Sequence, residues 1–101
     1  MNAEWFKDHI CEELDGAEEY IRHAIEIKPM QADWSKDLVA MSAAELDHAG
    51  KLWKMFDQYY KIVGGVYKTI PDYIEDDYRC IADKYNKRVS EIKYMHEMYY
   101  K

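Results

Sequence analysis

Only two short stretches of this chain are able to stop a helix: Lys28-Pro29-Met30 and Gly64-Gly65. Elsewhere the 101 residues hold only Gly16, Gly50 and Pro71 as breakers. A sandwich or barrel needs many reversals and the turn residues that make them, so both are excluded. Long helices are what remains. Pro29 suits the first turn of a second helix; Asp33 is an alternative cap, with Ser35 close behind. Gly64-Gly65 suits a helix C-terminus. Thr69-Ile70-Pro71-Asp72 then restarts the chain, with Asp72, Glu75, Asp76 and Asp77 at the positive end of the helix dipole. The expected helices cover about 3–27, 32–62 and 71–100 of a single domain, 1–101. The expected fold class is all-α, an up-down-up antiparallel bundle of three helices. The two longer helices would each reach about 45 Å. So slender a bundle has a thin core and would gain by burying surface against a second copy.

Composition removes several function classes. Asp and Glu outnumber Lys and Arg by 20 to 14, a formal net charge of −6. Without a basic stripe the chain is a poor partner for nucleic acid or anionic lipid. No apolar run approaches a membrane span. The N-terminal segment has neither a basic nor an apolar region of the secretory kind, so the expected location is the cytoplasm. Cys11 and Cys80 match no zinc spacing and are expected as free thiols in a reducing compartment. No nucleophile elbow, phosphate loop or Gly-rich cradle is present. No residue is assigned a catalytic role.

Each helix carries an apolar stripe at helical period. The first has Phe6, Ile10, Leu14, Ala17, Ile21, Ala24 and Ile25. The second has Trp34, Leu38, Met41, Ala49, Leu52, Phe56, Tyr59 and Val63. The third has Ile70, Ile74, Tyr78, Ile81, Tyr85, Val89, Ile92, Met95 and Tyr99. Glu45 projects into the middle of the second stripe, and His48 stands on its shoulder one turn away. Lys36, Asp47, Lys51, Lys54, Gln58 and Lys61 take the opposite face. Glu13 falls on the edge of the first stripe, with His9 one turn below and Tyr20 above. The other acids of that helix form a solvated face.

An unpaired carboxylate on an apolar face must be protonated, paired with a cation or bound to a metal. In Glu45-x-x-His48 both side chains leave one face of a helix and reach one ion. Carboxylate oxygen with imidazole nitrogen suits iron, manganese or zinc. A Glu from one helix and Glu-x-x-His from another make half of a dinuclear carboxylate site in a helix bundle.

These segments resemble the ferritin-like superfamily, in particular rubrerythrins and encapsulated ferritins. Glu12-Glu13-Leu14-Asp15-Gly16-Ala17-Glu18-Glu19-Tyr20 is similar to the first helix of that family, where a ligand Glu is followed seven residues later by Tyr. Ala43-Ala44-Glu45-Leu46-Asp47-His48-Ala49 is similar to its second. The resemblance covers roughly residues 5–60. It implies a metal site at Glu13, Glu45 and His48, a transition metal cofactor, chiefly iron, and oxidation or storage of iron, or peroxide handling. Helix three has no second Glu-x-x-His, and there is no fourth helix. The resemblance to encapsulated ferritins therefore implies a homodimer or higher oligomer that completes the site. A looser resemblance is to small phage-borne ferritin-like proteins.

The competing expectation is a non-catalytic structural or interaction protein on the same scaffold. There Arg88, on the third stripe, clasps both carboxylates. His48 would then be a satisfied core histidine and Tyr20 a packing residue. His9, His23 and His96 are expected at the surface or its boundary, with His96 and Asp77 as reserve ligands. The Tyr-rich tail, residues 94–100, is expected at an interface or core edge.

Overall fold

The computed structural model describes residues 2–67 and 72–101. They form three helices: α1 (Ala3–Ile27), α2 (Ala32–Tyr67) and α3 (Asp72–Tyr99). The molecule measures 56 × 19 × 15 Å. No helix among the described residues is long and apolar enough to cross a membrane.

Asn2 opens α1, its side chain accepting from the Trp5 N–H at 2.9 Å. At the far end the Met30 and Gln31 N–H groups both bond to the Ile27 carbonyl. The Ser35 N–H bonds to the Gln31 carbonyl at 3.0 Å, so α2 starts just after Pro29 and Asp33 lies within its first turn. Neither Pro29 nor Asp33 is the cap.

The expected end of the second helix near residue 62 is corrected: α2 runs through Gly64-Gly65 to Tyr67. Each helical glycine costs about 1 kcal/mol, which does not outweigh propagation of a helix already long. Just before these turns, contacts with α3 hold α2. Tyr60 stacks on Tyr78 at 4.1 Å, and the Tyr78 hydroxyl donates to Asp57 at 2.8 Å. The expected restart at Thr69-Ile70-Pro71 and the stripe position of Ile70 lie outside the described residues.

α1 behaves as its stripe requires: Phe6, Ile10, Leu14, Ala17, Ile21 and Ala24 are buried. Ile25 is not, at 38% exposed. α2 departs further. Its buried residues are Ser35, Val39, Ser42, Ala49 and Phe56, with Leu46 and Trp53 half-buried between them. These positions alternate by four and three, the repeat of a helix seam. Of the expected stripe, Ala49 and Phe56 are buried and Leu38, Leu52 and Tyr59 pack half-buried against the core, but Trp34 and Met41 stand outside it, 61% and 44% exposed.

Two serines cause the shift. Ser42 Oγ donates to the Ala17 carbonyl and Ser35 Oγ to the Ala24 carbonyl, both at 2.6 Å. Small residues on both helices let the backbones approach, and the hydroxyls meet acceptors that would otherwise stay bonded only within α1. These two pairs run in opposite senses, so α2 is antiparallel to α1. α3 packs chiefly on α1 and buries Ile81, Ile92 and Tyr99. Tyr99 is fixed from three sides. Its hydroxyl lies 3.0 Å from Ser35 Oγ, and the Lys28 ammonium sits 4.4 Å above its ring and donates to its carbonyl. Of the rest of the tail, Met95 packs half-buried on the core and His96 is half-buried, while Tyr94, Met98 and Tyr100 are exposed.

Candidate metal centre

The Ser42–Ala17 pairing sets the register of the hairpin and brings Glu45 level with Glu13. Glu45 and His48 lie one turn apart on α2 and face Glu13 across the helix gap. Glu13, Glu45 and His48 each offer one ligand atom within 4.8 Å of the others. Ligands at about 2.0–2.2 Å from one first-row ion stand no more than about 4.4 Å apart. A modest side-chain rotation therefore brings all three donors onto one ion.

The pairing within the cluster is incomplete. His48 Nδ1 lies 3.6 Å from Glu13 Oε2, too far for a hydrogen bond. Glu13 Oε2 is itself buried and has no hydrogen-bond partner among the described residues. Hydrogen bonding with Glu13 raises the Glu45 carboxyl above its ordinary range; burial and the Glu13 charge push the same way, against the opposing pull of His48. Two carboxyls and an imidazole thus crowd together with an oxygen left over. A divalent cation resolves such an arrangement by accepting all three donors.

The cluster is not where an α2 stripe centred on Glu45 would put it. Glu45 and Glu13 are half-buried, and the His48 side chain is 54% exposed. The cluster sits at the edge of the α1–α2 seam, because the serines and Ala49 occupy the centre. One side of it is open to solvent, as a site that must admit an ion requires.

Arg88 does not clasp these carboxylates. Its guanidinium pairs at 2.7 Å with Asp15, which lies on another face of α1 and is 71% exposed. Among the described residues no Lys or Arg pairs with Glu13 or Glu45. The cation on which the structural reading relied is therefore elsewhere.

The reserve ligands are placed apart too. His96 Nε2 lies 2.9 Å from Ser42 Oγ. The Ser42 hydrogen already points to Ala17, so His96 is the donor in this contact. Burial holds the His96 pKa below its ordinary value. Asp77 is exposed, across α1 from the cluster, beside Glu4 and Cys80. His9 is half-buried: its Nδ1 donates to the Trp5 carbonyl at 2.8 Å, and its ring stacks on Trp5.

Gly16 is the site residue that hydropathy did not single out. A Cβ there would stand 3.3 Å from Glu45 Oε2 and 3.4 Å from its carboxyl carbon. The available signal was a glycine three residues after Glu13, in the middle of a helix that gains nothing from it. Comparison with protein families, with curated proteins and with solved structures gives no match to this chain.

Proposed function

We propose that this chain is a carboxylate metal-binding protein holding a transition ion between Glu13, Glu45 and His48. The observation that carries this reading is the convergence of the three donors with no Lys or Arg paired to them among the described residues. The orphaned Glu13 oxygen and the space above Gly16 support it. Iron is the ion implied by the ferritin-like resemblance; manganese and zinc suit the same donors. Bound iron would supply the redox chemistry for iron oxidation or peroxide handling, while the chain holds the ion and leaves one side accessible.

A second copy is the proposed partner. The outer face of α2 carries Trp34, Leu38, Met41, Glu45, His48, Leu52, Met55 and Tyr59, alternating by four and three, with Leu38, Leu52 and Tyr59 half-buried against the chain's own core. Met41 and Met55 are both about half exposed on it. The stripe is symmetric about the point between Glu45 and His48. A two-fold axis there sets Trp34 against the partner's Tyr59 and Met41 against the partner's Leu52. It also sets Glu45 against the partner's His48, bringing the two clusters together and covering the apolar flanks.

The test is metal titration of chelator-stripped protein. Cobalt(II) absorption and metal analysis should give saturable, stoichiometric binding in the wild type and its loss in Glu45→Gln and His48→Ala. Folded wild type that binds no stoichiometric iron, manganese, zinc or cobalt would refute the reading.

A further inference from the structure

A second candidate site lies between α1 and α3, across α1 from the carboxylate cluster. Ile10, Leu14, Ile81 and Tyr85 wall a slot of about 150 Å³ with almost no polar surface. The apolar stems of Lys7, Lys84 and Arg88 complete its wall. Asp15 engages Arg88, but among the described residues Lys7 and Lys84 form no ion pair. Among the described residues no acidic side chain lines the slot, in a chain with 20 acidic residues.

We infer that this slot binds a small carboxylate with an apolar body, its ring or short chain between Ile10, Leu14 and Ile81 and its charge beside Lys7 and Lys84. The volume and the charge each select part of that ligand. An apolar cavity near 150 Å³ stays dry and is about large enough for a benzene ring. The apolar lining provides nothing for a sugar or nucleotide to hydrogen-bond. Lys7 and Lys84, unpaired among the described residues, can swing their ammonium groups over a bound anion and would give a neutral analogue no advantage. Their reach is long, because lysine stems lie along apolar surface while the charged head stays in water. This site is independent of the metal reading, since none of its residues belongs to the carboxylate cluster.

Cys11 supplies the reporter. It lines the slot and is half-buried, whereas Cys80 is exposed and lies outside this slot. The experiment measures alkylation of each cysteine by iodoacetamide during a benzoate titration, at constant ionic strength, read by peptide mass spectrometry. Benzoate should slow the reaction of Cys11 saturably and leave Cys80 unchanged. Benzyl alcohol should require a several-fold higher concentration. Lys84→Gln should raise the half-saturating benzoate concentration about three- to fivefold, the worth of an exposed charge pair. Ile81→Phe, which fills the slot, should abolish protection. Saturation-transfer NMR on benzoate gives a second readout that does not depend on the thiol or on any variant. Absence of saturable binding by both methods would overturn the inference. So would equal potency of benzyl alcohol, which would mark an apolar gap without anion selection, or parallel slowing of both cysteines.

Discussion

The Glu45 carboxylate rests against the bare backbone of Gly16, where a methyl group would stand 3.3 Å from its Oε2. That distance is tighter than an ordinary contact, so a side chain at position 16 makes the carboxylate give way by a few tenths of an ångström. In most mid-helix positions Gly→Ala adds about 0.5–1 kcal/mol of stability. Here the same change should separate stability from binding. Gly16→Ala is expected to leave the metal-free melting temperature equal to or slightly above wild type, while metal affinity falls about tenfold, near 1.4 kcal/mol. Thermal melts and competitive metal titration check the two halves. Unchanged affinity would mean that Glu45 has room to spare.

The raised pKa of Glu45 has a sign that can be tested in the metal-free protein. A carboxyl whose folded pKa exceeds its unfolded value of 4.5 gives stability that is fully present below 4.5. That contribution disappears as the pH rises through the folded value. Wild type should therefore lose stability relative to Glu45→Gln across this interval, because the amide does not titrate. Urea melts at a series of pH values measure the difference, and parallel curves for the two proteins would contradict it.

Ser42 joins all three helices, bonding to Ala17 of α1 and His96 of α3. Ser42→Ala removes the second bond of the Ala17 carbonyl and the acceptor of the half-buried His96, and should cost about 1–3 kcal/mol. The lowered pKa of His96 gives stability present above its ordinary 6.5 and lost as the pH falls through the folded value. Acidification from neutral pH should thus weaken wild type more than His96→Gln. A double-mutant cycle of the two positions should show coupling, and strict additivity would count against the contact.

Arg88→Leu distinguishes the observed ion pair from the one the sequence suggests. A guanidinium clasping two buried carboxylates would be worth several kcal/mol when removed. Paired with the exposed Asp15, it should cost less than about 1 kcal/mol. Chemical denaturation decides between these values.

The outer face of α2 predicts an assembly defect. In the proposed dimer Met41→Glu would place a charge opposite the partner's Leu52 and should shift sedimentation toward the monomer without unfolding the chain. Wild type that is monomeric at every concentration, with and without metal, would remove the proposed partner.

The helical class followed directly from the sequence, because two breaks in 101 residues leave a chain little else to form. The α1 core was equally legible: large aliphatics at three- and four-residue spacing have one place to go. The convergence of Glu13 with Glu45 and His48 was legible as well, from their places beside the apolar stripes, the Glu-x-x-His spacing and the ferritin-like resemblance. The face of α2 that turns inward was not. Hydropathy ranks Trp34 and Met41 above Ser35 and Ser42, yet the serines are buried and the large residues exposed. Burial of a hydroxyl depends on whether a carbonyl from another helix waits within reach, and no one-dimensional pattern contains that distance. The same holds for Arg88, whose partner was settled by the rotation of α3 on α1. Local chemistry thus specified which groups need a counterpart; packing in three dimensions assigned the counterparts, because close approach of backbones depends on residues far apart in the chain.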